Sequence, residues 1–271
     1  MVLLSKIIWR LLHKTRPNLR LYWVTLKTIS KLHSYASLTN QARHQKVVIS
    51  LSTYNCKAWI HETVMSMLGQ THSNWVLIIH DDASKDGTPD ILRCLADLDS
   101  RIRFFANHSN RGPYRNHNSA RKMALEREKA DYFTIIDHDD IAYPSWLERN
   151  IKIINNSKAI GVRPINVRVN ETNNKELYSY PAVNQTFWKI EIIKILGGYN
   201  IGVGIPDTEF MMRAERLCIL HNEWICLSLK ENHRMRVHER NESSRYTNEM
   251  KKELEVIDYS NAALEKLSFP L

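Results

Sequence analysis

The sequence predicts an α/β fold, with a mostly parallel central sheet flanked by helices. Short runs of apolar and largely β-branched residues, which are typical of buried strands, alternate with segments of helical periodicity. The helical segments are roughly ten residues long, which is enough to connect parallel strands by right-handed crossovers. Clusters of acidic and small polar residues follow three of the strands, as is typical of the sheet edge where ligands bind.

Two strands and the helix between them make up the first part of this pattern. The β-branched run at 47–51 predicts a buried strand that leads into the polar residues at 52–55. Apolar residues at helical spacing then predict a helix over about 60–68. A second apolar run at 75–79 predicts the next strand, and the acidic segment 81–86 comes directly after it.

The same alternation continues over the following fifty residues of the chain. A helix with Pro89 in its first turn is predicted next, and a third strand follows at 102–105. Another helical segment spans about 116–128. The fourth strand, at 132–136, runs directly into the acidic residues at 137–140. Because the carboxyl ends of parallel strands meet at one edge, three separate segments are expected to bring polar groups to one site.

The net charge of +9 is unevenly distributed along the chain. Residues 1–46 hold nine of the Lys and Arg residues and no acid, so the rest of the chain is neutral. A chain with a pI near 9.3 would ordinarily suggest a nucleic-acid binder. A neutral body with one basic arm instead favours a surface tether, and we expect no nucleic-acid partner.

Residues 1–46 also carry apolar residues, including Trp and Tyr, at helical spacing beside a purely cationic face. This combination predicts amphipathic helices that lie on an anionic membrane surface. The alternative is that the helices pack on the body or on a second subunit. No apolar run approaches the ~20 residues of a spanning helix, and the four cysteines form no Cys-x-x-Cys pair. The predicted location is therefore cytoplasmic and peripheral, on the inner face of the cell membrane.

The acidic cluster after the fourth strand predicts a cation site. In extended backbone, residues i and i+2 point the same way, so Asp137 and Asp139 can face one ligand. The Asp140 side chain either points away from that ligand or bends toward it. Clustered carboxylates without cysteine suit a hard divalent cation, Mn2+ or Mg2+. The alternative is a solvated acidic turn, but the buried strand before it and the second acidic loop favour the cation.

Several motifs between residues 47 and 146 occur in a characteristic order. They are Ser52-Thr53-Tyr54-Asn55, Gln70-Thr71, Asp81-Asp82-Ala83-Ser84, Asp86-Gly87-Thr88, Asn110-Arg111-Gly112-Pro113 with Asn118 and Ala124, and the acids at 137–140. Their order and spacing resemble the nucleotide-binding half of family 2 glycosyltransferases, which have the Rossmann-like GT-A fold. The sequence departs from the family at Ala83, where the family usually has Gly, and in a few extra residues around 126–129.

The resemblance continues more thinly to about residue 240. Three segments resemble the family's glycine turn, its base-bearing motif and its closing loop: Gly197-Gly198-Tyr199-Asn200, Pro206-Asp207-Thr208-Glu209 and Arg236-Val237-His238. In the second of these, Pro206 replaces the family's first acid. The resemblance implies a GT-A domain (47–240) with a nucleotide-sugar half (47–146) and an acceptor half (147–240). It does not cover the basic amphipathic arm (1–46) or the last residues (241–271), where apolar residues at helical spacing predict a C-terminal helical tail.

The resemblance implies a role for each matching residue. Nucleotide-sugar binding is implied for Ser52, Thr53, Tyr54, Asn55, Asp82, Arg115, Asn118, Asp137 and Asp139. Asp139, Asp140 and His238 are implied as metal ligands, and Asp207 as the general base that deprotonates the acceptor hydroxyl. Asp207 and Glu209 could instead be first-turn acids that favour the helix dipole. His238 could instead be one more cation on an arginine-rich loop.

These features predict an inverting, metal-dependent glycosyltransferase. It would move a sugar from a nucleoside-diphosphate sugar, with a UDP-sugar favoured, to a glycan or lipid-linked acceptor, in cell-surface polysaccharide synthesis. One alternative is a non-catalytic membrane-associated scaffold, which would have lost acids that are present here. A sugar nucleotidyltransferase would need a glycine-rich phosphate loop after the first strand, and residues 52–58 contain no glycine.

Overall fold

The structure, a computed structural model, describes residues 44–157, 159–173 and 175–238. The predicted arm (1–46) is described only from residue 44, and the predicted tail (241–271) lies outside the described residues. The strands are β1 (Val47–Thr53), β2 (Trp75–Asp81), β3 (Ile102–Ala106), β4 (Tyr132–Ile135), β5 (Asp140–Ala142), β6 (Gly161–Asn170), β7 (Glu176–Pro181), β8 (Phe187–Lys189) and β9 (Ile225–Val237). The helices are α1 (Ile60–Leu68), α2 (Thr88–Leu98), α3 (Pro113–Glu126), α4 (Trp146–Ser157), α5 (Ile190–Leu196) and α6 (Pro206–His221).

One sheet runs through the described chain in the order β3-β2-β1-β4-β8-β6-β9-β5, and β7 pairs with β6. The pairs among the first four strands are parallel, as predicted. Beyond β4 the sheet becomes mixed, because β8 runs antiparallel to both β4 and β6. The β6–β7 pair is an antiparallel hairpin, since its short turn leaves no room for a crossover helix. The sheet therefore continues without a break across the predicted boundary at residue 146.

Two apolar layers cover the two faces of the sheet. Side chains of α1, α2 and α4 pack with one set of strand residues, and side chains of α3, α5 and α6 pack with the alternate set. Within β1, Val47 and Ile49 belong to the first layer and Val48 to the second, because successive strand residues point to opposite faces. Every residue of β1, β2 and β4 is buried, which accounts for their continuous apolar runs.

Strand β1 extends two residues beyond its predicted end. Ser52 and Thr53 continue the parallel register with β2, where Thr53 lies opposite Asp81. The Thr53 hydroxyl donates a 3.0 Å hydrogen bond to the Asp81 carboxylate, and this polar pair closes the end of the sheet. The polar residues that were expected in a loop thus begin inside the strand.

Two further features of the described residues concern the cysteines and the lengths of the helices. Cys56, Cys94, Cys218 and Cys226 are free thiols in the described chain. Within residues 44–238, leaving aside 158 and 174, no helix is both long enough and apolar enough to cross a bilayer.

Candidate active site

The loops that follow β1 and β2 are joined by side chain to backbone hydrogen bonds. The Asn55 backbone N–H donates to Ser84 Oγ at 2.8 Å, and Asn55 Oδ1 accepts from the Lys85 N–H at 2.8 Å. Asn55 adopts a left-handed backbone (φ 47°), which Asn tolerates better than most residues. The adjacent Tyr54 side chain remains 49% exposed, so its ring is accessible beside the ends of the strands.

Ala83 lies in a left-handed backbone conformation (φ 65°) in the loop after β2. The Asp81 carboxylate holds this turn by accepting from the Ser84 N–H at 3.0 Å and the Ser84 hydroxyl at 2.6 Å. A residue with a Cβ atom is strained in this region, and glycine is not. The departure from the family at position 83 therefore falls on a residue whose backbone favours glycine.

Replacing Ala83 with glycine should stabilise the chain. We expect Ala83→Gly to raise the free energy of unfolding by up to about 1 kcal/mol, because relief of the left-handed strain exceeds the added chain entropy. Thermal unfolding followed by circular dichroism measures this change. The control is Ala96→Gly in the interior of α2, which should lower stability by about 0.5–1 kcal/mol. A fall in stability in both variants would contradict the strain at position 83.

Asp82 anchors the loop that leads into α3. Its carboxylate accepts hydrogen bonds from Asn107 Nδ2 (2.9 Å), the Arg111 N–H (2.8 Å) and the Gly112 N–H (2.7 Å). Burial alone would raise the pKa of Asp82, but these donated hydrogen bonds lower it below its ordinary value. Asp82 therefore stays ionised and holds the loop that contains Asn107, Arg111 and Gly112. Its contact with a nucleotide sugar stays a prediction.

A buried amide network continues from Asp82 to the end of β1. Asn107 Nδ2 also donates to Asn116 Oδ1 (2.8 Å), and Asn116 Nδ2 donates to Ser52 Oγ (3.1 Å). Ser52 is thus positioned by α3 as well as by its own strand. Arg115, the next predicted binding residue, is exposed and donates to the Arg111 carbonyl at 3.1 Å.

Asn118 holds the glycine turn before α6. Its Nδ2 donates to the Tyr199 carbonyl (2.9 Å), and its Oδ1 accepts from the Tyr199 N–H (2.7 Å). A Cβ atom on Gly198 would lie 2.6 Å from Asn118 Oδ1, so only glycine allows this approach. The structure gives Asn118 a role in positioning this turn, and its contact with a nucleotide sugar stays a prediction.

Glu209 and Arg213 hold the same turn from the other side. Glu209 is 1% exposed and pairs with Arg213 through two hydrogen bonds of 2.7 and 2.8 Å. Arg213 also donates to the carbonyls of Leu196 and Gly198. The second acid of the segment Pro206-Asp207-Thr208-Glu209 is therefore structural, and Asp207 is the acid that remains for chemistry.

Asp137 and Asp140 form a pair bridged by one amide, with Asp140 buried and Asp137 half-buried. Gln185 Nε2 lies 3.1 Å from Asp137 Oδ2 and also donates to Asp140 Oδ2. Asn184 Nδ2 donates to the other oxygen of Asp137 at 3.2 Å. Burial and the charge of Asp139 raise the pKa of Asp137 to about 7. Burial and the charges of its two neighbouring acids also raise the pKa of Asp140.

The Asp139 side chain pairs with His238 rather than with Gln185. His238 Nε2 lies 2.9 Å from Asp139 Oδ2, and Arg236 Nη1 donates to the Asp139 carbonyl at 2.8 Å. Burial alone would raise the pKa of Asp139, but the His238 hydrogen bond and the charge of His138 lower it. Asp139 is consequently a carboxylate at neutral pH, with 8% of its surface exposed.

The donor atoms at this edge suit a hard divalent cation. One carboxylate oxygen and one imidazole nitrogen adjoin at Asp139 and His238, and phosphate oxygens and water commonly complete such a shell. Among the described residues, no group of three or more His, Cys, Asp and Glu side chains forms a ready-made cation cage. Asp140, the third predicted ligand, accepts a hydrogen bond from Gln185, and its binding to a cation stays a prediction.

Asp207 lies in the first turn of α6, across the site from the strand ends. Its Oδ1 accepts from the Thr208 N–H (2.9 Å) and from the Tyr114 hydroxyl (3.5 Å). Tyr114 packs edge-on against Tyr199, whose hydroxyl donates to Asn184 Oδ1 at 3.0 Å, so contacts link Asp207 to the residues around Asp137. A helix N-terminus favours an anion, so Asp207 is stabilised as a carboxylate.

Sequence reasoning missed the amides that support the acidic cluster. Gln185 is 1% exposed, and its Oε1 accepts from Asn166 Nδ2 on β6. Asn166 Oδ1 in turn lies 3.1 Å from His233 Nδ1. The Asn184-Gln185 dipeptide directly before the buried strand β8 was the available signal, because buried amides need partners.

Removing the Gln185 amide should destabilise the folded chain. We expect Gln185→Met to lower the free energy of unfolding by roughly 2–3 kcal/mol, since the buried Asp140 and the half-buried Asp137 lose their shared donor. Chemical denaturation measures the loss. The matched control is Gln45→Met, which removes a partly exposed amide and should cost under about 0.5 kcal/mol. Equal stability of the two variants would contradict the bridging role of Gln185.

Comparison with known proteins places most of the described chain in a family. A family model described as glycosyl transferase family 2 matches residues 48–216, which is more than half of the chain. The putative teichuronic acid biosynthesis glycosyltransferase TuaG of Bacillus subtilis is 37% identical over 111 residues, or 40% of this chain and 42% of TuaG. The Escherichia coli UDP-Glc:alpha-D-GlcNAc-diphosphoundecaprenol beta-1,3-glucosyltransferase WfaP is 36% identical over 112 residues, which are 41% of this chain and 42% of WfaP. The matched stretch is thus under half of the length of these relatives.

Two solved structures share the fold. S. aureus TarS in complex with UDP-GlcNAc has a TM-score of 0.65 at 16% identity and covers 83% of this chain and 68% of its own. Mannosyltransferase PcManGT from Pyrobaculum calidifontis, in complex with GDP-Man and Mn2+, has a TM-score of 0.66 at 16% identity. The likeness covers 97% of this chain and 76% of the PcManGT chain. The predicted GT-A architecture is confirmed by this likeness, which concerns the fold alone.

Proposed function

The chain belongs to glycosyl transferase family 2, and from this premise we propose that it transfers a sugar from a nucleoside-diphosphate sugar to a hydroxyl group of a glycan or lipid-linked acceptor. The transfer would be an inverting single displacement in cell-surface polysaccharide synthesis. Asp207 would act as the general base, and the ends of β1, β2 and β4 would hold the donor.

A continuous line of contacts from Asp137 to Asp207 is the observation that carries this proposal. Asn184 donates to Asp137 and accepts from the Tyr199 hydroxyl at 3.0 Å. The Tyr199 ring packs edge-on against Tyr114, whose hydroxyl lies 3.5 Å from Asp207. A donor held at the strand ends would therefore place its anomeric carbon near a carboxylate on the facing helix. A general base must lie within hydrogen-bond reach of the hydroxyl that it deprotonates.

Different residues of this chain would have different roles in the reaction. Asp207 would accept the proton of the acceptor hydroxyl, since the helix N-terminus keeps it ionised. Attack from the side of Asp207 would displace the nucleoside diphosphate from the opposite side, which inverts the anomeric carbon. Asp139 and His238 would hold Mn2+ or Mg2+, which supplies Lewis-acid neutralisation of the diphosphate charge.

The partners are proposed from the similar proteins and from the sequence. UDP is the favoured nucleotide because the TarS structure contains UDP-GlcNAc, and GDP remains a second candidate because PcManGT was solved with GDP-Man. The name of WfaP specifies a diphosphoundecaprenol acceptor, which supports a lipid-linked acceptor here. Residues 1–46 would hold the chain on the cytoplasmic face of an anionic membrane.

Thermal unfolding in the presence of nucleotide sugars tests the proposal. We expect UDP-sugars together with Mn2+ to raise the melting temperature, because a ligand that binds only the folded state stabilises it by mass action. Release of the nucleoside diphosphate in the presence of an acceptor then measures transfer. Binding without release for any acceptor would support the scaffold alternative, and no binding of UDP- or GDP-sugars would contradict the proposal.

A further inference from the structure

The His238 ring is held by a tryptophan from the opposite half of the domain. The Trp59 and His238 rings are stacked, with centroids 4.1 Å apart and planes 13° from parallel. Trp59 directly precedes α1, whereas His238 directly follows β9. Face-to-face stacking fixes the plane of the imidazole ring, and His238 Nε2 lies beside Asp139 in that orientation.

The Trp59 ring is fixed in turn by the tip of the β6–β7 hairpin. Trp59 Nε1 donates a 2.6 Å hydrogen bond to Glu171 Oε1, across 112 residues of sequence. Glu171 is exposed and belongs to the turn between the two strands. Asn170 shapes that turn, since its Oδ1 accepts from the Thr172 N–H at 2.9 Å. A chain of contacts thus runs from the hairpin tip to Asp139.

Asp139 is also supported independently of His238. Arg236 donates to the Asp139 carbonyl at 2.8 Å and pairs with Glu62 on α1. His238 lies one residue past the end of β9, so its side chain is oriented from outside the strand. The Trp59 stack and the Asp139 pair both act on its ring, one on the face and the other at Nε2.

We infer that Trp59 and Glu171 are positioning residues that hold His238 in the orientation needed to bind a divalent cation beside Asp139. This inference rests on the proposed function. The partners that orient a metal ligand affect cation affinity strongly, typically 10- to 100-fold when removed. An ordinary core tryptophan would need neither a polar ring against its face nor an exposed carboxylate on its N–H.

Isothermal titration of the full chain with Mn2+ at saturating UDP tests this inference. We expect Glu171→Ala and Trp59→Phe each to weaken Mn2+ binding about 10-fold. Phenylalanine keeps an aromatic ring beside His238 but fills less of the core and loses the N–H donor, so both variants break the same hydrogen bond. The double variant should therefore be no weaker than either single variant. Glu171→Gln keeps an acceptor oxygen and should stay within about two-fold of the wild type.

Two further measurements separate positioning from general stability. Glu176→Ala removes an exposed acid from the same hairpin and should leave Mn2+ affinity unchanged. The melting temperature without metal should be equal in the wild type and in Glu171→Ala. Unchanged Mn2+ affinity in Glu171→Ala and Trp59→Phe, or additive losses in the double variant, would overturn this inference alone. No Mn2+-dependent binding of UDP or GDP by the wild type would overturn the proposed function with it.

Discussion

Asp207→Asn should lower the rate of sugar transfer by about 10²- to 10⁴-fold, which is the usual contribution of a general base. Asparagine keeps the size of the side chain and an oxygen that can accept from the Thr208 N–H and the Tyr114 hydroxyl. The fold and the donor site should therefore survive. We expect Mn2+-dependent binding of UDP to stay within about two-fold of the wild type, because the base acts on the acceptor hydroxyl and not on the nucleotide.

A matched control separates the loss of a base from the loss of a helix-terminal charge. Asp90 is likewise an acid in the first turn of a helix, α2, and it lies on the surface, paired with Arg93. Asp90→Asn removes the same charge from the same kind of position and should leave transfer unchanged. Steady-state rates of nucleotide release compare the two variants. Wild-type turnover in Asp207→Asn would exclude Asp207 as the base.

Asp139→Asn should abolish Mn2+-dependent nucleotide binding, and transfer with it. The carboxylate is ionised at neutral pH, since the His238 hydrogen bond and nearby positive charge hold its pKa low against the effect of burial. The amide removes the charge that a hard cation requires, so we expect Mn2+ affinity to fall by roughly 100-fold or more. Titration with Mn2+ in the presence of UDP measures this loss.

The metal-free stability of Asp139→Asn provides an internal check. The charge of Asp139 raises the pKa of Asp137 and of Asp140, so the three acids repel one another. Removing that charge relieves this repulsion, but it also removes an ionised group that the lowered pKa of Asp139 shows to be favoured in the folded state, so the melting temperature should not rise. The exposed acid Asp97 on α2 supplies the charge-matched control Asp97→Asn, which should bind Mn2+ and UDP normally. Full Mn2+ affinity in Asp139→Asn would remove Asp139 from the cation site.

The predicted site residues differ in how far local sequence described them. The acids at 137–140 follow a buried strand, and that placement could be predicted from the strand pattern alone. The different hydrogen-bond partners of these acids could not be predicted from that pattern. Asp137 and Asp140 share Gln185, which lies more than forty residues away, and Asp139 pairs with His238, 99 residues away. No periodic pattern marks such polar partners, because a single amide or imidazole carries no repeat.

Asn118 and Glu209 also show what local sequence cannot predict, because a motif marked each residue but did not indicate its role. Both belong to motifs that were associated with ligand or acid chemistry, yet both hold the turn at Gly198. Their roles depend on where α3 and α6 cross the end of the sheet. Ala83 is an intermediate case, since the family pattern marked the position and the left-handed backbone supplied the reason.

The sequence by itself determined the α/β alternation, the buried strands β1, β2 and β4, and the delivery of acids to one edge of the sheet. These features follow from hydrophobic period and from the geometry of parallel strands, which act over a few residues at a time. Tertiary structure alone decided the antiparallel insertion of β8, the Gln185 bridge and the contacts from Glu171 through Trp59 to His238. Those contacts join residues far apart in the chain, so packing of the whole domain is needed to bring them together.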